Sequence, residues 1–428
     1  MSPPLWSRRA VLGAGASAAL LPGGVGAQGG LGGARGAVTT AAAMSCAGFL
    51  ATIGVNTHLR YAASQYNAIE AVAAALAYCR ITHLRDTAIS AQAPNAGHYG
   101  DLARQGMRFC LFWGTGRPMH DAIAQIAALE AGHPGCVAFL EGPNEIQPGF
   151  AYGGAQGLAA GVRFMADMKA AAAQAPALAH KPLVSFTSFA PVASLADLAN
   201  HHPYPKAGAQ PGALIRLRRD QWVGPQGAMP GKPMVFTEFG YHTLQGRPAR
   251  PGHWAGVDER HQAILLLNGL LDAAALGVTR SYVYQLFDGS PDTPGHITQE
   301  NHFGLFAANG QPKPAASALR HLAGLLQSAP ARPMAPLEAQ VAASAPVMVL
   351  PLHAPGAQWL ALWQEPPVWD AAADAPLTPA DAAVALSLSR PAEIAVFSPA
   401  DGPAPLSAEQ GASARLKLGA APLLVRLS

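Results

Sequence analysis

The feature that most constrains this chain is an alternation. Between about residues 51 and 326, short apolar runs that end in polar residues take turns with Ala/Leu-rich stretches of helical period. The runs cover 51–56, 81–85, 107–112, 137–141, 182–187, 197–201, 234–238 and 281–285. The clearest helical stretches are 68–79, 120–131, 156–173, 259–276 and 315–326. Helices that follow single short strands argue for a parallel sheet. Eight repeats over about 280 residues match the size of a (β/α)8 TIM barrel, about 250 residues. The fifth and sixth runs start so close together, at 182 and 197, that the fifth helix is expected as a stub around 192–195. An open doubly wound sheet is the alternative, but no GxGxxG follows the first strand.

The texture changes near residue 335. Helical periodicity stops, and runs at 347–352, 359–363, 384–388, 394–397, 415–418 and 423–427 are spaced by Pro/Gly/Asp-rich turns. That pattern predicts a small antiparallel β-sandwich over 336–428, after a barrel over 45–330. At the other end, Arg8 and Arg9 precede a weakly hydrophobic Gly/Ala-rich stretch, then a small-residue site before Gln28. Residues 1–27 therefore read as a twin-arginine export signal, with 28–44 as a linker. The expected mature protein is periplasmic or extracellular, a client of the twin-arginine export machinery. No run is long enough for a membrane anchor.

Composition narrows the function classes. Half of the 428 residues are hydrophobic and 12% are charged, so a large core can form. Lys+Arg (28) nearly balances Asp+Glu (25), which leaves no basic face for nucleic acid. Cys46, Cys79, Cys110 and Cys136 have no zinc spacing. They lie in apolar stretches, which favours buried thiols or a single bridge.

Polar residues gather where the strands end, and in a barrel those ends share the face that carries the active site. The fourth run leads into Glu141-Gly142-Pro143-Asn144-Glu145, the seventh into Thr237-Glu238-Phe239-Gly240. Glu145 and Glu238 are 93 residues apart (238 − 145), or 31 for each of three β/α units. A barrel of about 250 residues in eight units predicts nearly the same spacing. The two carboxyls are therefore expected at equal heights, facing each other across the mouth. Breaking a glycosidic bond requires one carboxylic acid to protonate the leaving oxygen and one carboxylate to attack or to activate water. Glu145, beside the amide of Asn144, suits the acid/base role. Glu238 suits the nucleophile, with Tyr204 as a hydrogen-bond donor to it.

Asn144-Glu145, His202-Pro203-Tyr204 and Thr237-Glu238-Phe239-Gly240 together resemble the clan A glycoside hydrolases, in particular families 39 and 5. The resemblance implies a retaining mechanism on a TIM barrel, with the acid/base on strand 4, the nucleophile on strand 7 and no cofactor. It also implies that Arg85, after strand 2, lies beside the nucleophile. A carbohydrate is the implied substrate. The chain departs from the pattern at strand 8, where many clan members carry a Trp that floors the sugar site and this sequence reads Tyr284-Gln285-Leu286. Gln285 is expected to contact the sugar instead.

Trp113, after strand 3, and Trp254, in the loop after strand 7, are candidates for stacking on a sugar face, with packing as the plainer role, more so for Trp254. His202 is expected to wall the pocket. His201 and His202 could belong to a metal site, with His58, His83 and His242 as further candidates, but no HxH pair stands on strand 1, so no metal is assigned. Glu141 reads as a supporting carboxylate, and Arg216, Arg218 and Arg219 as a solvated helix face. Two other functions stay open at this point: a non-catalytic sugar-binding barrel used in polysaccharide assembly, and a metal-dependent hydrolase.

Overall fold

The structure is a computed structural model. It describes residues 36–39, 43–88, 90, 92–113, 118–246, 253–293, 297–328 and 335–428. The expected export signal, residues 1–27, lies outside the described residues.

Eight parallel strands form the barrel: β1 (Ile53–Asn56), β2 (His83–Thr87), β3 (Arg108–Phe112), β4 (Val137–Glu141), β5 (Leu183–Val184), β6 (Ala199–Asn200), β7 (Met234–Phe239) and β8 (Arg280–Val283). Neighbours pair in sequence order. β8 returns to β1 through Ser281 opposite Ile53, and a Val184–Leu198 bridge joins β5 to β6 and completes the ring. Around it stand α1 (Ile69–Cys79), α2 (Gly97–Arg104), α3 (Met119–Gly132), α4 (Gly157–Gln174), α5 (Gly212–Val223), α6 (Glu259–Ala275) and α7 (Pro314–Gln327). Every strand except β5 is followed by one of these helices. The stub expected near 192–195 is only a turn, because fifteen residues are too few to leave the barrel, form a helix and return.

Alternation along the strands separates two cores. Cys110, Phe139, Val184, Leu198, Val235 and Tyr282 point inward and fill the lower barrel. Gly54 admits the Tyr282 ring, which a Cβ at that position would overlap. Outward residues such as Val55, Leu84, Phe109, Leu140 and Phe236 pack beneath the helices. Above the inner apolar layer the inward positions turn polar: Asn56, Arg85, Glu141, Asn200 and Thr237. This polar layer supports the site.

The C-terminal module is antiparallel, as its pattern predicts. Its strands are β9 (Glu338–Ala343), β10 (Met348–Ala354), β11 (Ala357–Trp363), β12 (Ala382–Phe397), β13 (Pro405–Leu418) and β14 (Leu423–Leu427). They belong to one sheet. Strand β12 runs 16 residues with a register shift between Ser387 and Ala392, so its first half pairs with β9 and its second half with β14. The sheet thereby bends over a core of its own that includes Val341, Leu360, Leu362, Val384, Leu386 and Val425. Residues 28–44, expected as a linker, contribute strand as well: Gly36–Thr39 pairs with β9, and Met44–Ser45 lies along β10. Both segments supply edge strands, and their partners lie about 300 residues away, beyond any local sequence signal.

β11 is buried on both faces. Trp359, Ala361 and Trp363 turn toward the barrel, and Trp363 Nε1 donates to Asp272 Oδ1 on α6 at 2.9 Å. Trp369 meets His261 of α6 edge-on at 5.4 Å. These tryptophans join the module to the barrel. All four cysteines are free and buried. No helix among the described residues is long and apolar enough to cross a membrane.

Candidate active site

The site is built at the carboxyl ends of the strands. Arg85, on β2, is 2% exposed and spends its guanidinium on four side chains. Nε and Nη2 donate to the two oxygens of Glu141 at 2.8 and 2.7 Å. Nη1 donates to Glu238 Oε1 at 2.6 Å and to Asn56 Oδ1 at 3.1 Å, and Nη2 to Asn144 Oδ1 at 2.7 Å. Burial opposes this charge, yet the carboxylates of Glu141 and Glu238 hold the guanidinium above its ordinary range.

Glu238 and Thr237 are consecutive residues that both reach the barrel mouth, which a regular strand forbids. The ladder between β7 and β8 explains it: Phe236 pairs with Ser281 and Phe239 with Val283, so β7 carries one extra residue there. A bulge of this kind re-aims side chains beside active sites. Glu238 Oε2 then accepts from Tyr204 Oη at 2.6 Å, and His202 Nδ1 stands 3.4 Å away. Burial and the neighbouring Glu238 push the Tyr204 phenol well above its usual value, so it remains a donor.

Glu145 follows β4 with φ at 39°, in the left-handed region, and its N–H donates to Thr187 Oγ1 at 2.9 Å. Its side chain is 26% exposed, against 9% for Glu238. Glu145 Oε1 lies 3.1 Å from His202 Nδ1. The direction of that contact follows from the layer beneath. The single Thr237 hydroxyl proton faces Glu141 Oε1 at 2.9 Å, a charge-assisted bond. The Thr237 oxygen therefore accepts from Asn200 Nδ2 at 2.8 Å and from His202 Nε2 at 2.9 Å. With Nε2 donating, a neutral His202 turns an Nδ1 lone pair toward Glu145, so that contact is a hydrogen bond when Glu145 carries a proton.

These groups bound a cavity of about 190 Å3. Asn144, Glu145, Tyr204 and Glu238 form one part of its wall, and Trp254, Tyr284, Gln299, Glu300 and Phe303 the rest. The volume is below the ~300–1,000 Å3 of pockets that engulf a drug-sized ligand, so the cavity suits a single ring. The structure thus brings together Glu145, Glu238, Asn144, His202, Tyr204 and Arg85. It does not bring in Trp113, which is buried and meets Phe164 edge-on at 5.7 Å. Gln285 is buried too, behind the wall, where it donates to the Glu300 carbonyl at 3.1 Å. Trp254, read mainly as packing, lines the cavity, with the Lys206 ammonium 5.1 Å from its ring centre. Tyr284 occupies the wall at the end of β8, packed edge-on against Tyr204 and Phe303 at 6.2 and 5.4 Å, and its peptide bond to Gln285 is cis. Gln299, Glu300 and Phe303 carried no sequence signal, since a loop after a strand has no period to mark it.

Glu145, His202 and Glu238 also form a group whose ligand atoms lie within 4.8 Å of one another. As a cation site it fits poorly. Both Glu238 oxygens are already engaged, one by the Arg85 guanidinium, which repels a second positive charge.

No family model matches the chain, and neither does any curated protein. Solved structures do resemble it, glycoside hydrolases among them. A family 39 glycoside hydrolase from the gut symbiont Bacteroides cellulosilyticus WH2 aligns over 88% of this chain and 81% of its own, with a TM-score of 0.53 and 12% identity. A GH2 β-galacturonidase from Eisenbergiella tayi aligns over 63% of this chain, with a TM-score of 0.48 and 16% identity. A Ruminococcus gnavus β-glucuronidase aligns over 64%, with a TM-score of 0.47 and 16% identity. The chain spans about half the length of each of the last two proteins. At these identities the likeness lies in the fold: a TIM barrel of the kind glycoside hydrolases use, with an added antiparallel sheet.

Proposed function

We propose that this protein is an exported retaining glycoside hydrolase that cleaves a poly- or oligosaccharide by double displacement. One observation carries the reading: carboxylate oxygens of Glu145 and Glu238 face each other within 4.8 Å across a ring-sized cavity. Retaining enzymes keep their two carboxyls about 5–5.5 Å apart, whereas inverting enzymes need about 6.5–9.5 Å to admit a water.

Each residue has a role. Glu238, held by Arg85 and Tyr204, attacks the anomeric carbon. Glu145, more exposed and facing the His202 lone pair, gives its proton to the leaving oxygen and later takes one from water. Asn144 has its carbonyl end fixed by Arg85, which leaves its NH2 for a sugar hydroxyl near the reacting carbon. Trp254 and Tyr284 close the cavity wall around the ring. The twin arginines at Arg8 and Arg9 support export by the twin-arginine machinery to the periplasm or beyond.

Screening aryl glycosides and polysaccharides, with proton NMR of the first-formed anomer, tests the reading. Retention of configuration is expected. Glu238→Gln should lose activity by several orders of magnitude with unchanged folding. An inverted product, or more than a tenth of the activity left in Glu238→Gln, refutes the mechanism. Replacing Arg8 and Arg9 with Lys should retain the protein in the cytoplasm, as cell fractionation would report.

A further inference from the structure

Glu141 is the most enclosed carboxylate of the site, 1% exposed, and it does not line the cavity. It takes two of the five N–H groups of Arg85 in a bidentate fork, while Glu238 takes one. Its remaining capacity is filled by the Thr237 hydroxyl at 2.9 Å, the Asn200 amide at 3.3 Å and the Cys110 thiol at 3.4 Å. Such a group cannot reach substrate. Its link to the reacting groups runs through Arg85.

We propose that Glu141 is a positioning residue that keeps the charge around the nucleophile balanced through the reaction, so that Glu238 can be esterified without stranding a buried cation. This rests on the double-displacement reading above. In the first half-reaction a Glu238 oxygen bonds to the anomeric carbon as the bond from that carbon to the leaving oxygen breaks. The electron pair goes to the leaving oxygen, which takes the Glu145 proton. The negative charge leaves Glu238 in the step and appears on Glu145, which has given up its proton. With Glu141 in place, Arg85, Glu141 and Glu238 pass from a net charge of −1 to zero. Without it they pass from zero to +1, and the buried guanidinium then has no carboxylate bonded to it, the negative charge formed in the step lying on the more exposed Glu145. Glu141 therefore assists formation of the glycosyl-enzyme. In the second half-reaction Glu238 leaves as a carboxylate, and an unbalanced guanidinium would help that departure.

The other ionisable groups facing this cluster are His58 after β1, Cys110 on β3, Glu145 after β4, His202 and Tyr204 after β6, Tyr282 on β8 and Tyr284 after it. Burial raises the thiol and the three phenols and lowers the His58 imidazole, so all of them stay neutral. Glu145 and His202 are common to every variant compared, so a change at residue 141 is read against a constant background.

The test compares wild type, Glu141→Gln and Glu141→Asp on an activated aryl glycoside that the wild type cleaves. Leaving-group release is followed in a single turnover, and kcat/KM is followed across pH. Glu141→Gln should slow the single-turnover release by about 100-fold. It should also move the acidic limb of kcat/KM to lower pH, by about one unit, because Arg85 then faces Glu238 alone. Glu141→Asp keeps the charge with a shorter reach; its acidic limb should stay at the wild-type position. An unmoved limb in Glu141→Gln overturns the proposal. So does a limb moved to higher pH, the direction expected if the substitution merely let Arg85 swing away. Should Glu141→Gln fail to fold, a limb displaced in Glu141→Asp overturns it instead. A wild type that forms no covalent glycosyl-enzyme removes the double displacement itself, a different result from either.

Discussion

The backbone at Glu145 allows stability and catalysis to be separated at one position. A side chain held at φ 39° pays a steric penalty of about 1–2 kcal/mol that glycine escapes. Glycine loses about 0.5–1 kcal/mol relative to alanine through its freer unfolded chain. The difference predicts that Glu145→Gly is more stable than Glu145→Ala by about 0.5–1 kcal/mol, the reverse of the order at an ordinary position. Both variants lose the same proton donor. With an alkyl or other poor leaving group each should lose about 10²–10⁴-fold in kcat/KM, or about 3–5 kcal/mol. With a dinitrophenyl leaving group, which departs unprotonated, kcat/KM should fall little. Turnover should then stall at the second step and recover with azide, an anion that needs no base to attack. Urea midpoints at equal m-values give the stability order, and a leaving-group series gives the chemistry. Alanine as stable as glycine would refute the backbone argument. An equal loss on every leaving group would refute the assignment of Glu145 as the acid.

Two further predictions test the support around the nucleophile. Gly269, on α6, stands where an added Cβ would overlap Phe239 Cζ, next to Glu238. Gly269→Ala gains about 1 kcal/mol of helix propensity but overpacks by about 1–3 kcal/mol, so urea denaturation should show net destabilisation and the assay a lower kcat; a stabilised variant would contradict the packing. His242, 1% exposed between Trp254 and Phe303, is pushed down to about 3 by burial and then by His302. The unfolded chain protonates this ring near pH 6.5 and the folded protein does not, so its contribution is fully present above pH 6.5. It is lost as pH falls toward 3, by about 5 kcal/mol at most. His242→Phe should make stability fall less steeply over that window, by up to about 1.4 kcal/mol per pH unit, and an unchanged slope in denaturation midpoints against pH would contradict it.

What the sequence revealed and what it hid have physical reasons. The inner strands are buried on both faces, so they read as apolar runs, and the one at 137–141 coincides with β4 residue for residue. Spacing located the carboxyls because eight similar units repeat around the ring. The β7 bulge was not legible: Thr237-Glu238 looks like any strand end, and only pairing with β8 shows the extra residue. Trp113 and Trp254 exchanged roles for a related reason. A Trp at a strand end can turn outward beneath a helix, as Trp113 does against Phe164 of α4, while one in a long loop can fold back over the mouth. Composition cannot separate these outcomes. The wall formed by Gln299, Glu300 and Phe303 follows a stretch with no periodicity.

The division between strands and loops also bears on how the site can change. Glu141, Arg85, Asn56, Asn200 and Thr237 lie on five different strands and hold one another through side-chain and backbone bonds. Glu238 is fixed from this layer by Arg85, and Glu145 is oriented from it through Thr237 and His202. The relation between the two carboxyls therefore rests on this strand layer together with the segments just after β4 and β6 that carry Glu145 and His202. Trp254, Gln299, Glu300 and Phe303 come from the loops after β7 and β8 and touch the cavity without entering that layer. Exchanging those loops should alter which sugar is accepted and leave the stereochemical outcome as it was. Substitutions in the polar layer should do the reverse, lowering the rate on every substrate by a similar factor.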